Sequence, residues 1–303
     1  MRQPKEFHGR NHQELFLHLI FTLAVIFFKT WSAQKIVNGS RLVIGEQGGL
    51  GVGFFNGAHA YELAIADSYL STGLCDSSND RIVPIGQLRG QNTVQPNWSG
   101  KAVIVCGSMP RFAFDIRYMT LSSQMLGYFD DQFLFIESRP ERFRQRILVR
   151  LYPSDYGSRQ KERWLERCPE TVFDDGARPI LETAGHCRIF IGTYNATTYI
   201  EAVSVNFPTV IFWNPKHWEI KSEAQPYFYT LKDSGIFHEA PQSAAYHISN
   251  IWDDVSGWWT SADVQRARGS FCDNYAASAS NIFDRIKSAL INVVRIANNL
   301  SFR

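Results

Sequence analysis

The feature that most restricts the fold is an alternation of short β-branched or apolar runs with segments of helical periodicity. This rhythm is typical of a parallel sheet whose strands are joined by crossover helices. Strands are predicted at residues 41–45, 81–85, 102–106, 147–151, 188–192 and 209–213. Helices are predicted between them at residues 58–66, 114–128, 137–145, 158–167 and 197–206. The chain is therefore predicted to belong to the α/β class.

The polar stretch 89–101, RGQNTVQPNWSGK, separates two groups of predicted strands. It contains Pro, Asn and Gly and has no periodicity, which is typical of a linker. We therefore predict a first α/β half at residues 1–95 and a second at residues 96–303. After residue 213 the sequence becomes mostly helical, with helices predicted at 224–234, at 243–255 and from 262 to about 298.

The run 15–28, LFLHLIFTLAVIFF, is almost entirely apolar and follows Lys5 and Arg10. A basic start before a short apolar run is also the pattern of a secretory signal. At 14 residues the run is short for a membrane span, which needs ~20. We predict a buried helix beneath the sheet, with a signal or membrane anchor as the alternative.

Charge and cysteine content exclude several classes of protein. The 31 basic and 29 acidic side chains leave a net charge of +2, so bulk charge excludes a strongly basic nucleic-acid binder but leaves room for a local basic groove. The five cysteines form no CxxC pair, which argues against a disulfide scaffold or zinc site and favours a reducing compartment. Neither HExxH nor GxSxG occurs, so metallohydrolases and α/β-hydrolases lack their central motifs.

The segment 187–215 is the most informative for chemistry, because a predicted strand, a polar loop and a predicted helix follow one another there. Free N–H groups and the positive end of a helix dipole favour an anion at such a place. Four polar side chains can join them: Thr193, Asn195, Thr197 and Thr198. Glu201 lies one turn further along and can accept hydrogen bonds from a ribose diol. The alternative is local capping, with Thr198-x-x-Glu201 as a capping box and Asn195 as a turn residue or N-cap.

Two charged residues stand in apolar surroundings. Arg150 lies inside a predicted buried strand, where a guanidinium needs an anionic partner. Asp155, Glu182 or a ligand phosphate can supply that partner. Asp67 is the other such residue, and the alternative to a functional role is that it caps the end of a helix.

A glycine-rich turn, GEQGGLGVG at residues 45–53, follows the strand predicted at 41–45. Glycines let a backbone approach a ligand closely. The spacing matches neither GxGxxG nor a phosphate-binding GK[ST] motif, so an ordinary turn is the alternative.

Five segments together resemble a known family. They are GEQGGLG, YELAIADSYLSTG with RIVPIG, VRLYPSDYG, CRIFIGTYNATTYIEAVSVNFPTVIFWNP, and PYFYTLKDSGIFHEAPQSAAYHISNIWDDVSGWW. The order resembles the sugar transferases of bacterial surface-polysaccharide clusters (O-antigen, capsule, lipopolysaccharide), over residues 28–275. The sugar transferases of this group resemble divergent GT-B glycosyltransferases. They are also distantly similar to capsule Kdo transferases and to teichoic-acid polymerases.

The resemblance implies a GT-B-like protein with two Rossmann-like domains, a shortened N-terminal one and a helical C-terminal tail. It implies a cytoplasmic enzyme that transfers a sugar from a nucleotide-sugar donor to a glycan or lipid-linked acceptor, with no cofactor and no nucleic-acid partner. Metal independence is also expected, because no DxD motif stands in a suitable loop. Thr193, Asn195, Thr197 and Thr198 would hold the donor phosphate, Glu201 its ribose, and Arg150 a phosphate or carboxylate.

By the same resemblance the glycine turn would border the acceptor side, and residues 226–228 and 235–238 would shape its rim. Relatives carry a QHGG-type turn whose histidine is a plausible base, whereas this chain has Glu46-Gln47-Gly48-Gly49. Because glutamine cannot take a proton at neutral pH, the base would be Glu46 or Asp67, or activity would be weak or lost. The alternative function is a catalytically degenerate nucleotide-binding or assembly protein, and a third is an epimerase of the same fold.

The C-terminal region is predicted to consist of amphipathic helices. Trp252, Trp258 and Trp259 are expected to pack between helices, with a membrane-facing or acceptor-facing patch as the alternative. Peripheral contact with the inner membrane is a further hypothesis, through Arg266, Arg268, Arg285, Lys287 and Arg295.

Overall fold

A computed structural model describes residues 15–18, 26–46, 52, 57–73, 79–88, 93–112, 120–279 and 281–300. Its first half contains a four-stranded parallel sheet of order β1-β2-β3-β4. The strands are β1 Leu15–His18, β2 Arg41–Gly45, β3 Ser68–Ser71 and β4 Ile82–Pro84. Helix α1, Ile26–Val37, connects β1 to β2, and α2, Gly57–Ile65, connects β2 to β3.

The second half contains a six-stranded parallel sheet of order β10-β9-β8-β5-β6-β7. The strands are β5 Lys101–Val105, β6 Ile147–Arg150, β7 Val172–Phe173, β8 Cys187–Gly192, β9 Thr209–Phe212 and β10 Phe237–His238. The helices are α3 Met125–Glu137, α4 Glu141–Arg144, α5 Gln160–Arg167, α6 Ile180–Gly185, α7 Thr197–Ser204, α8 Gln225–Asp233, α9 Pro241–Ile251, α10 Val255–Thr260, α11 Ala262–Tyr275 and α12 Ile282–Leu300.

The central strands of the second sheet are buried along their whole length. All six residues of β8 and all four of β9 are buried, and their sequences CRIFIG and TVIF do not alternate between apolar and polar. Helices cover both faces of a parallel sheet, so such a strand needs apolar side chains on both sides. The predicted α/β class, with parallel sheets and a helical C-terminal end, is confirmed.

Helix α12 returns to the first sheet, although it follows the second half in the chain. Ile282, Ala289 and Val293 of α12 form one apolar cluster with Val43 and Leu70 of the first sheet. The segment that precedes α12 also joins the halves. The backbone N–H of Ala277 donates to the Thr72 carbonyl at 3.0 Å, and the Gln87 N–H donates to the Ala277 carbonyl at 2.8 Å.

Gly73 lies where this segment crosses the first sheet. A Cβ atom there would stand 2.9 Å from the backbone nitrogen of Tyr275 and 3.0 Å from that of Ala276. We expect Gly73→Ala to lower the free energy of unfolding by about 1–3 kcal/mol, because backbone atoms cannot yield as a side chain can. The control is Gly269→Ala, where an added Cβ meets nothing within 4 Å. On helix α11 this change should raise stability by up to ~1 kcal/mol. Chemical denaturation measures both, and a Gly73→Ala protein as stable as the parent would contradict the expectation.

The prediction of a buried helix over residues 15–28 is wrong. Leu15–His18 forms strand β1, which pairs in parallel with β2. Ile26 and Phe27 open helix α1 and are each 79% exposed. A short apolar run does not distinguish a strand from a helix by periodicity, which explains the error. In the part of the chain that the structure describes, no helix is both long and apolar enough to cross a membrane.

Two predicted helices differ in their bounds for a reason visible in the sequence. Helix α3 begins at Met125 and continues to Glu137, and Pro140 then separates it from the short α4. A residue before proline is disfavoured in the helical conformation, so the helix ends there. Part of the predicted helix 114–128 lies outside the described residues. The long helix predicted from 262 onward is divided into α11 and α12.

Candidate functional site

A cavity of about 630 Å³ lies at the carboxyl ends of the central strands of the second sheet. Strands β5 and β6 contribute its floor, and the first residues of α6 and α7 contribute its walls. Open α/β sheets bind ligands at this edge. Its lining includes Val105, Cys106, Arg150, Tyr152, Pro179, Ile180, Tyr194, Thr197, Thr198 and Glu201.

The first turn of helix α7 faces this cavity. Its N-cap residue is Ala196, whose extended backbone (φ −154°, ψ −177°) ends the loop and whose side chain makes no capping bond. The capping roles considered for Asn195 and for Thr198-x-x-Glu201 are therefore absent. Thr197 and Thr198 occupy the first two helical positions, half-buried on the cavity wall. The N–H groups of a first helical turn and the positive helix end make this a favourable place for an anion.

Glu201 lies one turn deeper in α7 and also lines the cavity. Its side chain is buried, with 6% of the residue exposed. A carboxylate that is ionised accepts hydrogen bonds only, and two neighbouring hydroxyl groups can donate to its two oxygens. Because a carboxylate repels a phosphate and accepts bonds from hydroxyl groups, its place behind the threonines suits a diol rather than a phosphate.

Arg150 lies at the end of β6 on the cavity floor, and its partner is Asp174. The guanidinium Nη1 is 2.5 Å from the Asp174 carboxylate and 3.3 Å from the Thr183 hydroxyl. Both charged side chains are largely buried, with 14% and 11% exposed. The partners predicted from sequence, Asp155 and Glu182, are wrong.

Those two acids are engaged elsewhere. Asp155 accepts the backbone N–H groups of Gly157, Arg159 and Gln160, and Glu182 lies 3.7 Å from Arg178. The sequence did not single out Asp174. The two-residue strand β7, which pairs with β6, brings it beside Arg150, and so short a strand leaves no periodic signal.

Two aromatic walls of the cavity were missed by sequence reasoning. Tyr194 is 9% exposed, and its ring packs so closely on Gly107 that a Cβ there would lie 3.1 Å away. Its hydroxyl oxygen accepts a bond from the Thr198 hydroxyl at 3.5 Å, and burial raises the pKa of Tyr194 to about 12. Tyr152 stands at the rim, 41% exposed, with its ring 5.8 Å from that of Tyr156. The only sequence signal was the tyrosine content of YPSDY after β6.

Thr193 and Asn195 lie behind the cavity wall, each 1% exposed, so the predicted phosphate contacts are replaced by internal ones. The Thr193 hydroxyl donates to the Val105 carbonyl at 2.9 Å and accepts from the Tyr128 hydroxyl at 2.7 Å. The Asn195 side-chain oxygen accepts from the Tyr199 hydroxyl at 3.0 Å. These bonds hold the β8–α7 loop in place rather than reaching a ligand.

The two predicted bases lie at opposite edges of the first sheet. Asp67 precedes β3 at the amino edge, where it is 2.9 Å from Arg41 and accepts the Leu42 N–H. Glu46 directly follows β2 at the carboxyl edge. A carboxylate at the amino edge faces away from the ligand side of a parallel sheet, which leaves Glu46 as the better-placed acid.

Glu46 is buried, and its Oε2 atom accepts both the backbone N–H (2.7 Å) and the hydroxyl (2.8 Å) of Thr72. His59 of α2 and Lys221 of the second half interact with it electrostatically. Burial lowers the pKa of both, and the charge of Glu46 opposes this shift. No motif marked His59 or Lys221, because they come together only in the folded chain. Gln47 and the glycines at 48, 49, 51 and 53 lie outside the described residues.

The acceptor rim predicted at 226–228 and 235–238 is partly buried, while Tyr227 is only half-buried and stays a predicted rim residue. Phe228 and Phe237 are buried in the core with their rings 5.3 Å apart. His238 is also buried, and its two ring nitrogens lie 2.8 Å from the Ser243 hydroxyl and 3.0 Å from the Gly235 carbonyl. Among the residues described, no group of three His, Cys, Asp or Glu side chains is arranged to hold a metal ion.

The C-terminal tryptophans pack between helices, as expected. The indole of Trp258 donates to the Ser234 carbonyl at 3.1 Å and that of Trp259 to the Asn206 carbonyl at 3.0 Å. Trp252 is 2% exposed. Arg268 is used internally, since it donates to the Val203 carbonyl at 3.0 Å.

Comparison with known proteins gives one family match, which covers residues 25–290 and is described as LIC12162 family transferase. No curated protein matches the sequence. Among solved structures, the wall teichoic acid polymerase TagF is 10% identical, with coverage of 84% of this chain and 67% of that chain and a TM-score of 0.44. A UDP-N-acetylglucosamine 2-epimerase from Listeria monocytogenes is also 10% identical, with coverage of 92% and 72% and a TM-score of 0.48. WaaG, a glycosyltransferase of lipopolysaccharide biosynthesis, is 12% identical, with coverage of 87% and 81% and a TM-score of 0.41.

Proposed function

Since the chain belongs to the LIC12162 family of transferases, we propose that it is a GT-B-like glycosyltransferase. Its donor is a nucleotide-activated sugar, and its acceptor is a surface-polysaccharide or lipid-linked glycan. The two parallel α/β halves fit the architecture that the resemblance implies. The four described cysteines are free thiols, which suits a reducing compartment, and we propose a cytoplasmic location.

The observation that carries the proposal is that Thr197, Thr198 and Glu201, from the start of helix α7, line the 630 Å³ cavity. In this arrangement the N–H groups and hydroxyls of Thr197 and Thr198 bind the donor phosphate. Glu201 lies one helical turn away, a rise of about 5.4 Å, and accepts the ribose hydroxyls. The cavity volume falls in the usual range for small-ligand sites, roughly 300–1,000 Å³.

In the proposed reaction, an acceptor hydroxyl attacks the anomeric carbon of the sugar. The bond from that carbon to the phosphate oxygen breaks, and its electron pair remains on the nucleotide phosphate. The α7 N–H groups and Arg150 stabilise this new negative charge. In this proposal Glu46, at the carboxyl edge of the first sheet, receives the proton of the acceptor hydroxyl.

A second candidate is a nucleotide-binding protein of the same fold without turnover. It is favoured by Gln47, which replaces a histidine, and by Glu46, whose Oε2 already accepts two bonds from Thr72. One oxygen of this carboxylate is thus already engaged inside the protein, which leaves less of it free to contact an acceptor hydroxyl.

Ligand binding and turnover separate the two candidates. We expect one nucleoside diphosphate to raise the melting temperature in a saturable way. The rise should be about 2–4 °C if the bound ligand stabilises the folded protein by roughly 1 kcal/mol. Release of free sugar or nucleotide from the matching donor would support the enzyme. Binding without release would support the second candidate, and no response to any nucleoside mono- or diphosphate would contradict both.

A further inference from the structure

A second cavity, of about 470 Å³, opens at the same edge of the second sheet. It lies between the segment after β5, the beginning of α3 and the segment that leads into α5. The arginines on its lining are Arg111, Arg159 and Arg163, and the apolar residues are Phe112, Met125, Leu126 and Phe129. None of these residues takes part in the donor site proposed above.

The charge on the lining of this cavity is positive. No acidic side chain is on its described lining, and none of its three arginines forms an ion pair within the described residues. Arg163 donates to the Ser158 carbonyl at 2.9 Å, and its guanidinium lies 5.6 Å from the centre of the Phe129 ring. The nearby carboxylate of Asp155 accepts three backbone N–H groups and also interacts electrostatically with Arg159, so it offsets part of the positive charge of the three arginines.

Large apolar side chains stand exposed beside these arginines. Phe112 is 83% exposed and Leu126 is 56% exposed, and the Arg111 guanidinium lies 5.6 Å from the Phe112 ring centre. Exposed aromatic and aliphatic groups cost free energy in water when they cluster. Cations next to protruding apolar groups are the combination that binds the interface of an anionic bilayer.

We propose that this surface, formed by Arg111, Arg159, Arg163, Phe112 and Leu126, docks on an anionic phospholipid membrane. The arginines bind lipid phosphates bidentately, while Phe112 and Leu126 enter the headgroup region. This site differs from the basic residues of the C-terminal helices that the sequence suggested. Of those, Arg268 is used internally and Arg266 pairs with Asp263 at 2.9 Å.

The position of the surface connects it to the first cavity. The segment after β6 contributes Tyr152 and Pro153 to the donor cavity, and Gly157, Ser158 and Arg159 to the membrane surface. A bilayer bound there would bring lipid-linked molecules to the same edge of the sheet. The docking proposal stands without the donor site, because it concerns different residues and is measured by binding alone.

The test is sedimentation of the purified protein with vesicles of phosphatidylcholine containing 30% phosphatidylglycerol. We expect binding to these vesicles, little binding to phosphatidylcholine alone, and a decrease as salt rises. Each arginine near the surface contributes about 1 kcal/mol of binding free energy, which corresponds to about a five-fold change in affinity. The triple variant Arg111→Gln, Arg159→Gln, Arg163→Gln should therefore bind the vesicles roughly 100-fold more weakly. Phe112→Ser should weaken binding by a smaller factor that persists at high salt.

The control variant removes the same charge elsewhere: Arg266→Gln, Arg285→Gln and Lys287→Gln, all on exposed positions of α11 and α12. It should bind vesicles as the parent does, and melting temperatures of both triple variants should match the parent. Equal losses in both variants would show a bulk-charge effect and overturn the proposal, as would absence of binding. Saturable binding of soluble glycerol phosphate to the three arginines, with no vesicle binding, would also overturn it by identifying a soluble ligand.

Discussion

Glu201→Gln should weaken the binding of a nucleoside diphosphate by about 10- to 100-fold, the largest effect on ligand binding expected from any single change. Hydrogen bonds to a charged group are worth about 1.5–3 kcal/mol, and the glutamine amide offers only one neutral acceptor to the ribose diol. Glutamine keeps the shape of a side chain that is buried in the cavity wall, so the fold should be retained. Calorimetric titration with the nucleotide found by the screen measures the change.

The matched control is Glu182→Gln on the neighbouring helix α6. It removes the same charge from a side chain that is 57% exposed and paired with Arg178, and binding should be unchanged. A second ligand makes the test specific. The 2′-deoxynucleotide should bind the parent protein about ten-fold more weakly, but should lose little further affinity in Glu201→Gln, because the two changes remove the same contact. Fully additive losses would show that Glu201 does not hold the ribose.

The sequence predicted the central elements well because their signals are local. Strand β8 is a run of apolar residues that ends in a polar loop, and helix α7 follows at once. Both lie within two residues of their predicted bounds. Besides β1, which was predicted as a helix, the strands that were missed are β7 and β10, which have only two residues each, and β3, a polar-looking SYLS whose burial depends on the neighbouring strands. Local patterns carry no information on such pairing.

The candidate site was predicted in part for the same reason. Thr197, Thr198 and Glu201 are placed by the period of one helix, so predicting the helix predicted their common face. Thr193 and Asn195 belong to the loop before it, where only the backbone path decides whether a side chain points outward or inward. Asn195 turns inward to Tyr199 of the following helix, and Thr193 turns inward to Val105 and Tyr128, which lie far away in the chain and which no local pattern connects with this loop.

Arg150→Met should lower the free energy of unfolding by about 3 kcal/mol, the largest effect on stability expected here. The change leaves the carboxylate of Asp174 largely buried, 11% exposed, without the guanidinium that now lies 2.5 Å away. Adding Asp174→Asn should recover most of this loss, because it removes the uncompensated charge while Thr183 remains as a hydrogen-bonding neighbour. Urea denaturation of the parent, both single variants and the double variant measures these four values.

Nucleotide binding by the stable double variant then decides what Arg150 does in the cavity. Arg150 lines the cavity with one side of its guanidinium engaged by Asp174, and the proposed function requires it to attract the donor phosphate as well. We therefore expect the double variant to fold normally yet to bind a nucleoside diphosphate about ten-fold more weakly, with a smaller loss for the nucleoside. If the double variant binds both as the parent does, Arg150 serves only to neutralise Asp174, and the phosphate is held by helix α7 alone.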